Sequence, residues 1–222
     1  MKDNIYFSEF NKIKKIIEEY SSKCKSVIKE FSDKVVYEQY GVGGGCLHRG
    51  YFCPSRIIDV VNGNINRGKI KKNIDKPDFT FSFDCNNKLI LVKQEYTCEF
   101  IIYQDDYEIG ITVLDDFKIT TISYCKYDID RIREYTFCLY DPYKKQIVEI
   151  TKEIYSYTEN KMEVDWFRLF DINSLLNSEH EKYVFNLVDG YLSTYTIQKI
   201  DNSKMFPYAN EYIYKVKLKR QV

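Results

Sequence analysis

The stretch "CKYDIDRIREYTFCLYDPYKKQIVEI", residues 125–150, decides the fold. It contains two copies of one plan: an aromatic strand end, an Asp-led polar turn, then a strand of alternating apolar residues. Three further copies lie in "FSFDCNNKLILV" (81–92), "YSYTENKMEVD" (155–165) and "YVFNLVDGYLSTY" (183–195). Asp, Asn, Pro and Gly set the turn geometry, and the alternation sets which face is buried, so each copy reads as a β-hairpin and the series as an antiparallel meander. Lys88–Val92, Thr120–Tyr124, Tyr135–Tyr140 and Glu211–Val216 read as strands within it. Residues 171–182, "DINSLLNSEHEK", read as a short helix inserted between strands.

Composition agrees with a β-rich chain. The 222 residues include 21 Tyr, 14 Phe and one alanine, a balance that suits pleated, half-buried surfaces. Lys and Arg number 33 and Asp and Glu 33, which argues against a chain whose main business is nucleic acid or an anionic membrane surface. The zero sum hides an asymmetry: residues 1–74 carry 14 basic and 8 acidic side chains, residues 75–116 carry 3 and 10. No run of 18 apolar residues occurs and the first residues carry frequent charges, so a cytoplasmic chain is expected. Seven cysteines without a C-x-x-C pair read mostly as small buried hydrophobes rather than a disulfide framework.

Toward the N-terminus the period changes from two to three and four. Phe10, Ile13, Ile17, Tyr20, Cys24, Val27 and Phe31 form one stripe with Lys and Glu on the other faces, which predicts an amphipathic helix over about 7–31. The stripe suits packing on the chain's own sheet, with a homodimer through this helix as the other use. A short strand over 35–40 and a short helix over 54–62, opened by Pro54 and closed by Gly63, follow. The basic connector 66–78 then suggests a seam between 1–76 and 77–222, within one structural unit. The expected fold is α+β: an N-terminal amphipathic helix packed on a large antiparallel meander, as an open sheet or a partly closed barrel.

The hairpin units resemble the tyrosine/aspartate repeats of Rhs-type polymorphic-toxin proteins, here without the usual turn glycine and confined to about 79–200. With its size and helix-plus-meander plan, the chain is similar to the small immunity proteins encoded beside such toxins. That resemblance implies a cytosolic protein that binds and blocks one specific toxin domain and has no activity of its own.

Two stretches carry candidate chemistry. "YGVGGGCLHRGYFCPSR" (40–56) holds five of the nine glycines. It lacks the βαβ context of a dinucleotide fingerprint and the Gly-Lys-Ser/Thr of a phosphate loop, and its C-x-H-x4-C spacing matches no usual zinc pattern, so no cofactor or metal is expected. Cys46 or Cys53 with His48 could supply the thiolate of a cysteine-dependent hydrolase or transferase, with Arg49 lowering the thiol pKa. The alternative is a hinge or close-packing turn between helix and sheet. The second stretch, residues 95–116, has seven carboxylates and no Lys or Arg. Glu95, Glu99, Asp105, Asp106, Glu108, Asp115 and Asp116, with Tyr103 and Tyr107 among them, read as an acidic, tyrosine-studded surface that steers toward a basic partner.

Overall fold

The computed structural model describes residues 2–45, 47–63, 66–129, 131–170, 178–189, 191–200, 205–206 and 212–216. Two helices, α1 (Lys2–Tyr20) and α2 (Cys24–Ser32), open the chain. Then come β1 (Tyr37–Val42), a single 3-10 turn at Gly50–Phe52, the one-turn helix α3 (Ile58–Val61) and β2 (Lys69–Lys71). The meander follows as β3 (Phe79–Phe83), β4 (Leu89–Lys93), β5 (Thr97–Tyr103), β6 (Tyr107–Leu114), β7 (Ile119–Asp128) and β8 (Arg131–Asp141). It continues through β9 (Gln146–Tyr157), β10 (Lys161–Phe170), β11 (Ser178–Val188) and β12 (Tyr191–Ile200), with β13 (Met205–Phe206) and β14 (Tyr212–Val216) beside β12.

All these strands form one open antiparallel sheet, and from β3 to β12 every strand pairs with its neighbours in sequence. The exception is β1, which lies between β2 and β3. The first 76 residues therefore contribute two strands to the sheet, and the basic connector is a crossing within it.

The five repeat units coincide with the β3–β4, β7–β8, β8–β9, β9–β10 and β11–β12 hairpins. The missing turn glycines have a local answer: Asn87, Ile129, Lys145 and Asp189 take the left-handed conformation in four of these turns, and Phe117 does so between β6 and β7. Asx contacts brace several of them. Asp84 accepts from the Asn86 and Lys88 amides at 2.9 Å each, and Asp141 accepts from those of Tyr143 and Lys144 at 2.9 and 3.0 Å.

Successive strand residues point to opposite faces, and each face has its own cover. On one, Leu91, Phe100, Ile111, Ile122, Cys138 and Ile150 pack with Ile13, Ile16 and Cys24 of the helices. A polar clasp reinforces this side. Lys152 Nζ of β9 donates to Glu9 of α1 and to Glu134 of β8, each at 2.7 Å, while Thr136 donates to Glu9 at 3.1 Å. Burial raises the Glu9 pKa, but Lys152 and Lys12 outweigh it and hold the carboxyl below its ordinary value. On the other face, Ile57 and Val60 pack on Cys125, Tyr135, Tyr155, Val164 and Trp166, so the segment between β1 and β2 is the second cover.

Four expectations change in detail. The predicted 7–31 helix is two helices, because Ser21–Lys23 form a turn. There the Ser21 hydroxyl donates to the Ile17 carbonyl and the Lys23 amide to that of Tyr20, hydrogen bonds that compete with helix continuation. The stripe survives the break, and its residues lie on the sheet. The 54–62 helix shrinks to Ile58–Val61, since Ser55 Oγ accepts from the Ile57 and Ile58 amides and delays the first turn. Residues 178–182 begin β11 rather than ending a helix, and 171–177 lie outside the described residues. The first strand starts at Tyr37 and runs to Val42.

Ile129 is β-branched, 91% exposed and at φ 57°, a conformation that costs an L-residue roughly 1–2 kcal/mol. Ile129→Gly is expected to raise stability by about 1 kcal/mol, the relief exceeding the added unfolded-state entropy. Urea denaturation midpoints of the two proteins check this, and an unchanged or lower midpoint contradicts it.

Candidate functional site

Among the described residues, the cover between β1 and β2 brings most of the buried charge together, and its centre is Arg49. Arg49 and Gly50 are both left-handed, at φ 56° and 49°, and this turns the Arg49 side chain down onto the sheet. Its Nε lies 2.8 Å from Glu99 Oε1 on β5, Nη1 donates to Glu108 Oε1 on β6, and Nη2 donates to Ser123 Oγ on β7 at 3.0 Å. Gly110 makes the approach physical. A Cβ at that position would collide with Glu99 Oε1 and Arg49 Nη2 and stand 2.5 Å from Ser123 Oγ, so only a glycine leaves room for the guanidinium on β6.

His48 is held beside this group, with Nε2 3.0 Å from Glu99 Oε2 and Nδ1 2.9 Å from the Tyr135 hydroxyl. Burial opposes the charge on Arg49, but Glu99 and Glu108 prevail and raise its pKa well above the ordinary value. Burial also opposes ionisation of Glu99; Arg49 and His48 prevail and bring its carboxyl down to about 2.

A second cluster docks the same segment on β9. Ser55 Oγ donates to Glu153, lying 2.7 and 2.9 Å from its two oxygens, and the Tyr155 hydroxyl donates to Glu153 while accepting from the Arg56 amide at 2.9 Å. Arg67 donates to the Cys53 and Ser55 carbonyls and pairs with Asp59 at 3.1 Å, closing the loop on itself. Burial dominates at Glu153 and pushes its carboxyl up to about 7.

These contacts assign roles to the sequence candidates. Cys53 is fully buried and burial pushes its thiol up to about 12, far from the thiolate that a nucleophile requires. The helix that follows does not begin until Ile58, so no dipole acts on Cys53. Arg49, expected to lower a thiol pKa, is spent on two carboxylates. Cys46 lies outside the described residues. Among those described, no group of three or more His, Cys, Asp or Glu is placed to hold a metal ion, and no helix is long and apolar enough to cross a membrane. A separate hollow of about 730 Å³ between α1 and the β8–β10 strands is walled by Phe10, Ile17, Tyr140, Ile147 and Phe170. Its Glu149 is taken by Arg168 at 2.8 Å.

The acidic stretch does not form one surface. Glu99 and Glu108 are 3% and 5% exposed and face Arg49, so they leave the proposed contact set; a charged carboxylate at an inward strand position needs a buried partner, and here it is a cation. Tyr103 is partly buried and donates to the Leu89 carbonyl at 2.9 Å, and Tyr107 packs against Tyr124 with ring centres 5.0 Å apart. The rest divide by strand direction. Asp105 and Asp106 stand in the β5–β6 turn at one end of the sheet; Glu95 in the β4–β5 turn and Asp115 and Asp116 in the β6–β7 turn stand at the other. Beside the latter group are two exposed rings that face solvent. Tyr96 is 63% exposed and donates to Glu95 at 2.6 Å; Tyr143 is 69% exposed beneath Lys118, which pairs with Asp116 at 2.6 Å.

No family model, curated protein or solved structure matches the chain.

Arg49→Leu is expected to cost about 3–5 kcal/mol by taking the guanidinium from two buried carboxylates, and Glu99→Gln with Glu108→Gln should recover part of that loss. Urea denaturation of the single and triple variants measures both. A second outcome concerns pH. Because the folded Glu153 pKa stands above its ordinary 4.5, its contribution to stability is fully present below pH 4.5 and fades as pH rises through about 7. Glu153→Gln should remove that fall, so the melting temperature of the variant relative to the native chain should rise between pH 4.5 and 8; a pH-independent difference contradicts the assignment.

Proposed function

We propose that the chain is a non-enzymatic protein-binding module, in its most concrete form a cytosolic immunity protein that neutralises a toxin by covering the active site of a basic toxin domain. The observation that carries this reading is the division of polar groups between interior and turns. His48 and Arg49 of the glycine-rich segment are held in docking it and Cys53 is buried and protonated, whereas one end of the sheet offers exposed carboxylates and exposed tyrosines. Glu95, Tyr96, Asp115, Asp116 and Tyr143 form the proposed contact surface. Tyrosines supply rigid area with a polar tip, and carboxylates steer encounter with a basic cleft. The competing reading, a cysteine-dependent hydrolase or transferase using Cys46 or Cys53 with His48, is weakened for Cys53 by its buried, protonated thiol.

The separation of the acidic groups gives a sharp test. A partner is captured from the native host's lysate at two salt concentrations, identified by mass, and its association rate measured against two charge reversals. Asp115→Lys with Asp116→Lys should slow association about tenfold and flatten its salt dependence, while Asp105→Lys with Asp106→Lys, at the far end, should leave it nearly unchanged. Equal effects of the two pairs, or none, overturn the proposed surface.

A further inference from the structure

Within the second cover, the loop of residues 53–67 is built to move as a unit. Its two flanks are pinned: Gly50 lies against the Phe79 ring and Gly68 against the Val42 and Gly43 carbonyls, each so closely that a Cβ would collide. Its neck is closed by Arg67, which donates to the Cys53 and Ser55 carbonyls at 2.8 and 2.5 Å and pairs with Asp59 at 3.1 Å. A compact loop with joined ends holds its own shape, in the manner of an Ω-loop. A separate set of contacts binds it to the sheet, and Ile57 and Val60 supply the apolar part of that set.

The polar part is a single seam. Glu153 on β9 is 1% exposed and accepts from the Ser55 hydroxyl of the loop and the Tyr155 hydroxyl of the sheet. Tyr155 in turn accepts the Arg56 amide at 2.9 Å, and Ser55 accepts the Ile57 and Ile58 amides at 3.3 and 3.0 Å. Among the described residues no Lys, Arg or His nitrogen lies within ion-pair distance of Glu153: Arg67 is paired with Asp59, and Arg49 with Glu99 and Glu108. The undescribed residues of 43–68 are Cys46, Asn64 and Ile65, none of them cationic. The remaining neighbours are neutral near pH 7. Burial pushes up the thiols of Cys53 and Cys125 and the phenols of Tyr135, Tyr155 and Tyr183, and Trp166 stands opposite Glu153 on β10. His48 reaches this group through its 2.9 Å contact with the Tyr135 hydroxyl. Ionising Glu153 thus places an anion without a counter-ion in a dry seam, and lifting the loop returns it to water.

We propose that residues 53–67 form a proton-gated flap, closed over the sheet while Glu153 is neutral and released when it ionises, with the Arg49 half of the cover staying docked. Release bares Cys53 and the aromatic floor around Trp166, a surface separate from the contact surface at the hairpin tips. Burial sets the direction. The docked carboxyl stands at about 7 against an ordinary 4.5, so closure is fullest below pH 4.5, weakens as pH rises toward about 7 and then levels off.

The test is hydrogen exchange of the full chain, followed by NMR between about pH 5 and pH 8, with each amide's intrinsic rate divided out. The Arg56, Ile57 and Ile58 amides should lose up to about tenfold in protection per pH unit below pH 7. Those of Gly50 and Phe52, bonded to the Leu47 and Arg49 carbonyls, should keep theirs. Glu153→Gln should flatten the profile at 56–58. Tyr155→Phe removes a donor to the charged form, so the fall at Ile57 and Ile58 should begin at higher pH. A flat native profile overturns the proposal, and so does a fall that survives in Glu153→Gln, which assigns the titration to another group such as His48. An equal fall at Gly50 and Phe52 also overturns it, because the whole cover then opens together.

Discussion

A single guanidinium laid flat on a strand glycine sets the placement of everything on the second face of this sheet. Taking Arg49 and two carboxylates out of water is costly, and their mutual attraction offsets that cost only when the geometry is good and the remaining donors are used. Here Nε, Nη1 and Nη2 reach three different strands, β5, β6 and β7. An apolar side chain of similar size could be as stabilising, but it would not fix direction. The ion cluster specifies one docking of residues 43–68, and the contacts of Ser55, Arg67 and His48 follow from that docking. The left-handed backbone at Arg49 is strain that the cluster holds in place.

The second cover also explains how so wide an open sheet can be stable. Strands buried on both faces need not alternate apolar and polar residues, and β4 reads Leu89-Ile90-Leu91-Val92 without interruption. The α1 and α2 helices supply one cover through Ile13, Ile16 and Cys24; the glycine-rich segment supplies the other. Both covers use the same device, a buried cation between carboxylates: Lys152 between Glu9 and Glu134 on one face, Arg49 between Glu99 and Glu108 on the other. At the β2 edge the sheet ends in a three-residue strand bearing Lys69 and Lys71, a short charged margin that discourages further pairing.

Much of the fold was legible because its determinants are local. Each hairpin carries its own turn residues and alternation, and pairing of sequence neighbours needs no long-range information. The helix was legible from its stripe, but its break was not, since Ser21 and Ser22 lie off that stripe and the periodicity runs through them. The docking cluster was misread for a stronger reason: its partners are 50 to 74 residues from Arg49, and an acidic residue in a polar run looks solvated. Signals were present all the same. Glu99 falls in register with Ile101 on a strand apolar on both faces, and Gly110 stands between the β-branched Ile109 and Ile111, a sign that another group approaches closely. Two inward carboxylates beside a strand glycine call for a cation, and the glycine-rich turn containing Arg49 is where the chain can deliver one.

That placement constrains where binding chemistry can reside. Substitutions at Arg49, Glu99, Glu108, Ser55 or Glu153 act through the docking of a whole segment, so these positions have little freedom to adapt to a ligand. The hairpin tips have that freedom. Their side chains project beyond the sheet, and register is fixed by the strands behind them. Because successive turns alternate between the two ends, the meander sorts tip residues into two groups that never meet. One collects Tyr96, Asp115, Asp116 and Tyr143; the other collects Asp128, Ile129 and Arg131, beside Tyr157 at the end of β9. An architecture of this kind can change its chemistry at one end without disturbing the other.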